Sequence, residues 1–333
     1  MIRWLAILAC ALTVCITASS AFIRHSQAGL GCPDWPNGEC VAGLRTAQAD
    51  AQAGARSDGQ PAVRSDAPPA AQPAAQPRAV EPGVRTARAL HRVSAMLVGI
   101  FVLLLAVFGW SSMRSRVALA IALADTVFLA WLGRFTPHPV PLVTLANLVG
   151  GIALAAAFAW IAASLRTPAR AGAPAPVPSP GADLRIGAAT IAPAFAALAL
   201  LAVAAWIGTM IGAHDAIGAC EGARCAGSMR LDVGTLDALR PAAPIDAAAA
   251  RGLHWLHRLV AAAFALAALV VALRARRSGA SRVAIVLVVL LVAQIAAGVD
   301  TTIGVWPLAT ATLHNALATL LAVALAATAA RAA

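Results

Sequence analysis

The chain contains no lysine, and only 12% of its 333 residues are charged. Its formal net charge of +11 is therefore carried by arginine. An arginine excess on a soluble domain points toward nucleic acid. No basic stripe or RNA-binding motif accompanies this one, so no nucleic-acid partner is expected. A composition that is 60% hydrophobic, with mean hydropathy +0.79, fits neither an ordinary soluble domain nor a disordered chain. It points to a polytopic membrane protein embedded in a lipid bilayer. No small-x-small cleavage site is obvious ahead of Ala18-Ser19-Ser20-Ala21, which can itself pass for one. The first apolar run, about Leu5 to Phe22 behind Arg3, is read as a retained helix, with a signal peptide as the competing reading. No apolar run is visibly broken by Gly or Pro at its middle, which argues against a transporter built on discontinuous helices.

Seven further apolar runs follow, at roughly 90–111, 117–134, 141–164, 187–210, 254–273, 283–303 and 308–330. Each is near the ~20 residues that a bilayer-spanning helix needs. With the first run they predict an all-α integral membrane fold of eight transmembrane helices. Arg3, Arg114, Arg116, Arg166, Arg170, Arg185, Arg274, Arg276, Arg277, Arg282 and Arg331 fall on one side of the predicted bilayer. The short loops opposite carry chiefly Arg134. By the positive-inside rule both termini are then cytoplasmic, and the long loops 24–89 and 211–253 face the periplasm from a bacterial inner membrane. From about Val41 to Val84 the chain is Ala, Pro, Gln, Arg and Asp without periodicity. Such a segment buries too little apolar surface to fold, so a flexible loop is expected over 41–84.

The chain also repeats itself. Leu90-His91-Arg92 recurs as Leu256-His257-Arg258, and Cys32 with Cys40 corresponds to Cys220 with Cys225. Two repeated four-helix bundles are expected: an N-terminal half over 1–166, a cytoplasmic linker over 167–186 and a C-terminal half over 187–333. Each would hold a core site between facing helices.

Ionisable side chains at membrane depth are functional candidates by default. Leu253-His254-Trp255-Leu256-His257-Arg258 opens the sixth run. On the predicted topology His91 and His257 sit at the outer ends of helices two and six, and His314 about one turn inside helix eight. His257 and His314 then meet at one depth, on two helices of one bundle. Two imidazoles from opposite sides saturate a haem iron, which suits electron transfer. Arg92 and Arg258 are candidates to hold haem propionates through charge-assisted hydrogen bonds. A single His-Arg pair reads equally well as a helix cap or headgroup contact; its recurrence, together with His314, favours haem. His254, one turn before His257, either hydrogen-bonds a propionate or simply lies at the interface. His25, His138 and His214 are expected to be solvated, and Trp35, Trp255 and Trp306 fit an aromatic belt. Cys32/Cys40 and Cys220/Cys225 read as local disulfides in an oxidising compartment. A zinc site is the alternative, but no suitable histidine or second pair lies nearby.

These features together resemble the haem A synthases of cytochrome oxidase assembly. The resemblance rests on Gly29-Leu30-Gly31-Cys32-Pro33-Asp34-Trp35-Pro36 preceded by Arg24, on Leu253-His254-Trp255-Leu256-His257-Arg258, and on His314-Asn315. Two cysteine pairs and eight helices in two repeats belong to it as well. It covers nearly the whole chain except the 41–84 insert. It implies a membrane enzyme that oxidises the C8 methyl of haem O to a formyl group, giving haem A. It also implies a haem b cofactor on His257 and His314, with the substrate haem O in the N-terminal half on His91. Haem O synthase and cytochrome oxidase subunit I are the protein partners it suggests.

Two positions depart from that pattern. Asn147 stands where the second N-terminal histidine belongs, and Arg88 where the family has a glutamate three residues before His91. Asparagine is a poor iron ligand, so a haem in this half has at most His91. An open iron position is compatible with oxygen chemistry. The lost glutamate removes a candidate proton acceptor, leaving the catalytic residue unassigned. Arg88 is a further propionate candidate. Glu81 and Asp125 are other acids in this half, neither at the matching position. The expected function is haem A synthesis; the alternative is a haem-b-binding relative without this chemistry, serving electron transfer or oxidase assembly.

Overall fold

Eight long helices carry the chain in the computed structural model, which describes residues 1–27, 42–43, 46, 82–110, 116–136, 138–165, 186–220, 225–303 and 307–333. They are α1 (Ile2–Gln27), α2 (Pro82–Gly109), α3 (Arg116–Leu132), α4 (Pro141–Ser164), α5 (Ile191–Ala213), α6 (Ala247–Arg277), α7 (Ser281–Ile303) and α8 (Leu308–Ala332). Among the described residues there is no strand. All eight are long and apolar enough to cross a membrane. A helix closes its backbone hydrogen bonds internally, which hydrocarbon demands. Side chains follow the same solvent: Leu103 is 57% exposed, Val107 72% and Leu266 67%. Apolar surface on this scale belongs against lipid. The protein is an all-α, multi-pass membrane protein.

Small residues line the contacts between helices instead. Ala6, Ala9, Thr13 and Thr17 are buried on α1, and Ala322, Ala326 and Ala329 on α8. Without a hydrophobic drive between helices in lipid, close approach of backbones supplies the packing energy. The buried threonines satisfy themselves within their own helices: Thr13 donates to Ala9 O at 2.8 Å and Thr17 to Val14 O at 2.9 Å.

The helices pack as two closed rings. Within the first, α1 meets α2 and α4, and α3 meets α2 and α4; within the second, α5 meets α6 and α8, and α7 meets α6 and α8. In each ring the second and fourth helices lie diagonally across. The rings join through α4 against α8, flanked by α1 on α8 and α5 on α4. The flanks are unequal: α1 lies against α8 more extensively than α5 does against α4. The 41–84 loop, apart from a few residues, and the 167–186 linker, apart from Ile186, lie outside the described residues.

Two helices start earlier than the apolar runs imply. The run near 90 marks only hydrocarbon, whereas α2 already begins at Pro82; α6 begins at Ala247 rather than 254. Asp246 sets that second start, its carboxylate accepting from the amides of Ala248 and Ala249 at 3.0 Å each. His91 and His257 are therefore not at helix mouths. They lie nine and ten residues inside (91 − 82 and 257 − 247).

The segment from His214 to Asp246 folds back over the end of the second ring. His214, expected in solvent, is buried: Nδ1 lies 2.7 Å from Ala243 O and Nε2 3.0 Å from Thr235 O. Arg230 N donates to Ala248 O at 3.0 Å, and Arg251 Nε to Ser228 O at 2.9 Å. A Cβ on Gly252 would stand 2.1 Å from Arg230 O, so only glycine admits this approach of loop to helix. The loop also reaches the other ring, where Leu142 N at the start of α4 donates to Ala238 O at 2.9 Å.

Candidate functional site

His257 on α6 and His314 on α8 project from diagonal helices of the second ring. Their depth is fixed by a shared apolar cluster that includes Leu253 and Ala311, one turn nearer the loop end on each helix. Below it, His257 Nδ1 lies 3.1 Å from Ala204 O on α5. An Nδ1–H donated to a backbone carbonyl fixes the tautomer and leaves the Nε2 lone pair for a metal. One turn beyond Ala204, Gly208 clears the ring: a Cβ there would lie 3.4 Å from His257 Cε1. Gly298 on α7 does the same for His314, with 3.0 Å to its Cε1.

The side chains around His314 are polar and underused. Gln294 on α7 presents Nε2 at 3.2 Å from His314 Nε2. An amide N–H there occupies the lone pair an iron would take. Among the described residues His314 Nδ1 and Gln294 Oε1 are buried without a hydrogen-bond partner, as is Trp206 Nε1 elsewhere in the same ring. Orphaned polar atoms and glycine-cleared imidazoles fit a planar, metal-centred group better than a finished apolar core. The donor set is thus compatible with a haem.

The first ring repeats half of this arrangement. His91 Nδ1 lies 3.3 Å from Ile16 O on α1, as His257 does from α5. Asn147 is the seventh residue of α4 and His314 the seventh of α8 (147 − 141 = 314 − 308 = 6). Asn147 Nδ2 donates to Thr136 Oγ1 at 2.9 Å and to Val143 O at 3.0 Å, tying the α3–α4 connection. One turn deeper, a Cβ on Gly150 would meet Leu129 Cδ2 at 2.8 Å and Asp125 Oδ1 at 3.1 Å. Asp125 Oδ2 is buried and has no hydrogen-bond partner among the described residues.

This twofold use of a histidine held by a carbonyl of the neighbouring helix is carried by a sequence that matches one family model along residues 3–326. The chain belongs to the COX15-CtaA family of cytochrome oxidase assembly proteins. No curated protein matches it. Membership gives the chain a role in cytochrome oxidase assembly and haem A synthesis, and makes the haem A synthase resemblance of the sequence a family relationship.

Within this family member the remaining expected site residues divide. Arg258 stands half-buried with its guanidinium carbon 5.6 Å from the centre of the Trp255 ring. Arg92 is exposed and Arg88 half-buried. His254 is buried, with Nε2 2.9 Å from Ala216 O, and so helps hold the returning loop. Cys220 and Cys225 are paired, their Cα atoms 4.5 Å apart; Cys32 and Cys40 lie outside the described residues. His25 is not solvated as expected. It faces Asn315 across the seam, with Nε2 3.1 Å from Asn315 Nδ2. Gln294 and the two clearing glycines were missed, although a glutamine inside an otherwise apolar run was a visible signal.

Proposed function

We propose that the chain is a membrane haem A synthase that oxidises the C8 methyl of haem O to a formyl group, with haem b on His257 and His314. The observation that carries this is the pair of diagonal imidazoles at one depth, each cleared by a glycine, with His257 fixed through Nδ1. Haem b, when bound, supplies one-electron transfer. His257 and His314 are the residues that would hold it. His91, its ring oriented by the Ile16 carbonyl, would hold haem O in the N-terminal half, where Asn147 offers no second imidazole. Arg92, Arg258 and Arg88 are propionate-binding candidates at the loop end, and His254 is assigned to loop anchoring. The Cys220–Cys225 bond and a Cys32–Cys40 bond suit the periplasmic face of a bacterial inner membrane, with both termini cytoplasmic. The halves 1–166 and 187–333 are substrate and cofactor units joined by the 167–186 linker, with haem O synthase and oxidase subunit I as partners.

A second reading has its own observation. The Asn147 amide is committed to Thr136 and Val143, and Leu129 packs against Gly150 beside it. That side of the first ring suits a haem-b-binding relative without methyl oxidation. Haem extraction from membranes co-expressing the protein with a haem O synthase separates the two. Haem A or its hydroxylated precursor supports the synthase; unconverted haem O beside co-purifying haem b supports the relative. In a working synthase His91→Ala abolishes haem A and keeps haem b, whereas His257→Ala loses haem b.

A further inference from the structure

Arg24, in the last turn of α1, reaches across the seam between the rings and donates from Nη2 to Asn315 Oδ1 on α8 at 3.1 Å. Asn315 is itself pinned, its Nδ2 donating to Ala311 O at 2.9 Å and meeting His25 Nε2 at 3.1 Å. Its neighbour in sequence is His314. Among the described residues no carboxylate forms an ion pair with Arg24. A guanidinium has five N–H donors, and among the described residues Asn315 answers one. The C-terminal end of α1 offers only about half a unit of negative charge. An arginine within a membrane helix demands fuller compensation. The planar fork matches an oxyanion, and with Nη2 fixed by Asn315 its other N–H groups are already oriented. Among the described residues α5 offers α4 no equivalent contact, since it carries no arginine.

We propose that Arg24 is an anion-binding residue at the seam, taking a propionate carboxylate of the haem held by His257 and His314. The assignment rests on the haem reading above. A lipid headgroup phosphate has the same oxyanion chemistry, and the test separates the two sources.

The test is haem transfer from the purified, full-length holoprotein in nanodiscs to excess apomyoglobin. Arg24→Gln releases haem about 10- to 100-fold faster, the loss expected for a charge-assisted hydrogen bond. Arg24→Lys keeps the charge without the fork and falls between; should Arg24→Gln fail to fold, this variant carries the test, with release at least several-fold faster. Loaded with haem dimethyl ester, wild type and Arg24→Gln release at the same rate, a result that a merely structural role would not give. Wild-type release of free-acid haem is the same in anionic and zwitterionic lipid. Release from both variants at the wild-type rate overturns the proposal. So does a wild-type rate that follows anionic lipid and loses that dependence in Arg24→Gln, which assigns Arg24 to a headgroup. Haem retained by His257→Ala instead overturns the haem reading itself.

Discussion

Gln294 places its side-chain nitrogen 3.2 Å from Nε2 of His314, on the lone pair that iron ligation requires. The amide therefore competes with a metal for the same electrons. One neutral hydrogen bond is worth about 1 kcal/mol, or roughly fivefold in an equilibrium. Gln294→Leu is expected to tighten haem binding by about that factor, measured as slower haem transfer to apomyoglobin. Weaker binding in the variant would show that Gln294 supports the ligand rather than competing with it.

The two glycines beside the imidazoles predict an order of damage. A Cβ at Gly298 would lie 3.0 Å from His314 Cε1, closer than side chains normally tolerate, whereas at Gly208 the gap to His257 is 3.4 Å. Overpacking of this kind costs about 1–3 kcal/mol. Gly298→Ala is expected to lower haem b occupancy about tenfold and Gly208→Ala by much less, read from the reduced haem spectrum per protein. The reverse order would mean that the rings turn when haem enters.

The shared depth of His257 and His314 was legible in the sequence. His257 and His314 follow from apolar runs of known length, because a helix rises 1.5 Å per residue and depth can be counted. Helix starts were less legible: the boundary of an apolar run marks where lipid ends, and Asp246 caps α6 well before that. His214 and His25 were misjudged for a different reason. Their burial depends on a loop that returns 29 residues later and on a helix of the other ring 290 residues away. No local pattern carries either contact. Gln294 was readable as a lone polar residue, but its partner was not.

Asn147 divides the two functional readings, and Asn147→His tests what an imidazole does at the counterpart of His314. The variant is expected to give a second low-spin, six-coordinate haem in absorbance or paramagnetic resonance spectra. Haem A formation is expected to rise several-fold, because the variant restores the histidine pair that the family resemblance implies for the substrate haem. An unchanged haem A yield would mean that Asn147 does not border the reacting face.

The returning loop carries a dependence on pH. Hydrogen bonds from the Ala249 amide first, then the Arg230 charge and the Ala248 amide, hold the Asp246 carboxyl below its ordinary value. A depressed folded value means that the cap contributes above the ordinary aspartate range and is lost as pH falls through the folded value. Hydrogen-exchange protection of the first turn of α6 is expected to fall below about pH 4. Asp246→Asn, which caps without titrating, is expected to flatten that profile. Equal pH dependence in both proteins would remove Asp246 as its origin.

The hydrogen bond from Leu142 N to Ala238 O has a consequence for how the molecule can be made. The ordered start of the fourth helix waits on a carbonyl from almost a hundred residues downstream. During synthesis the first ring therefore enters the membrane before its own last helix has its full set of neighbours. Separately expressed halves would have to find each other to complete it. Each four-helix ring thus meets at the seam a contact that only the other can supply.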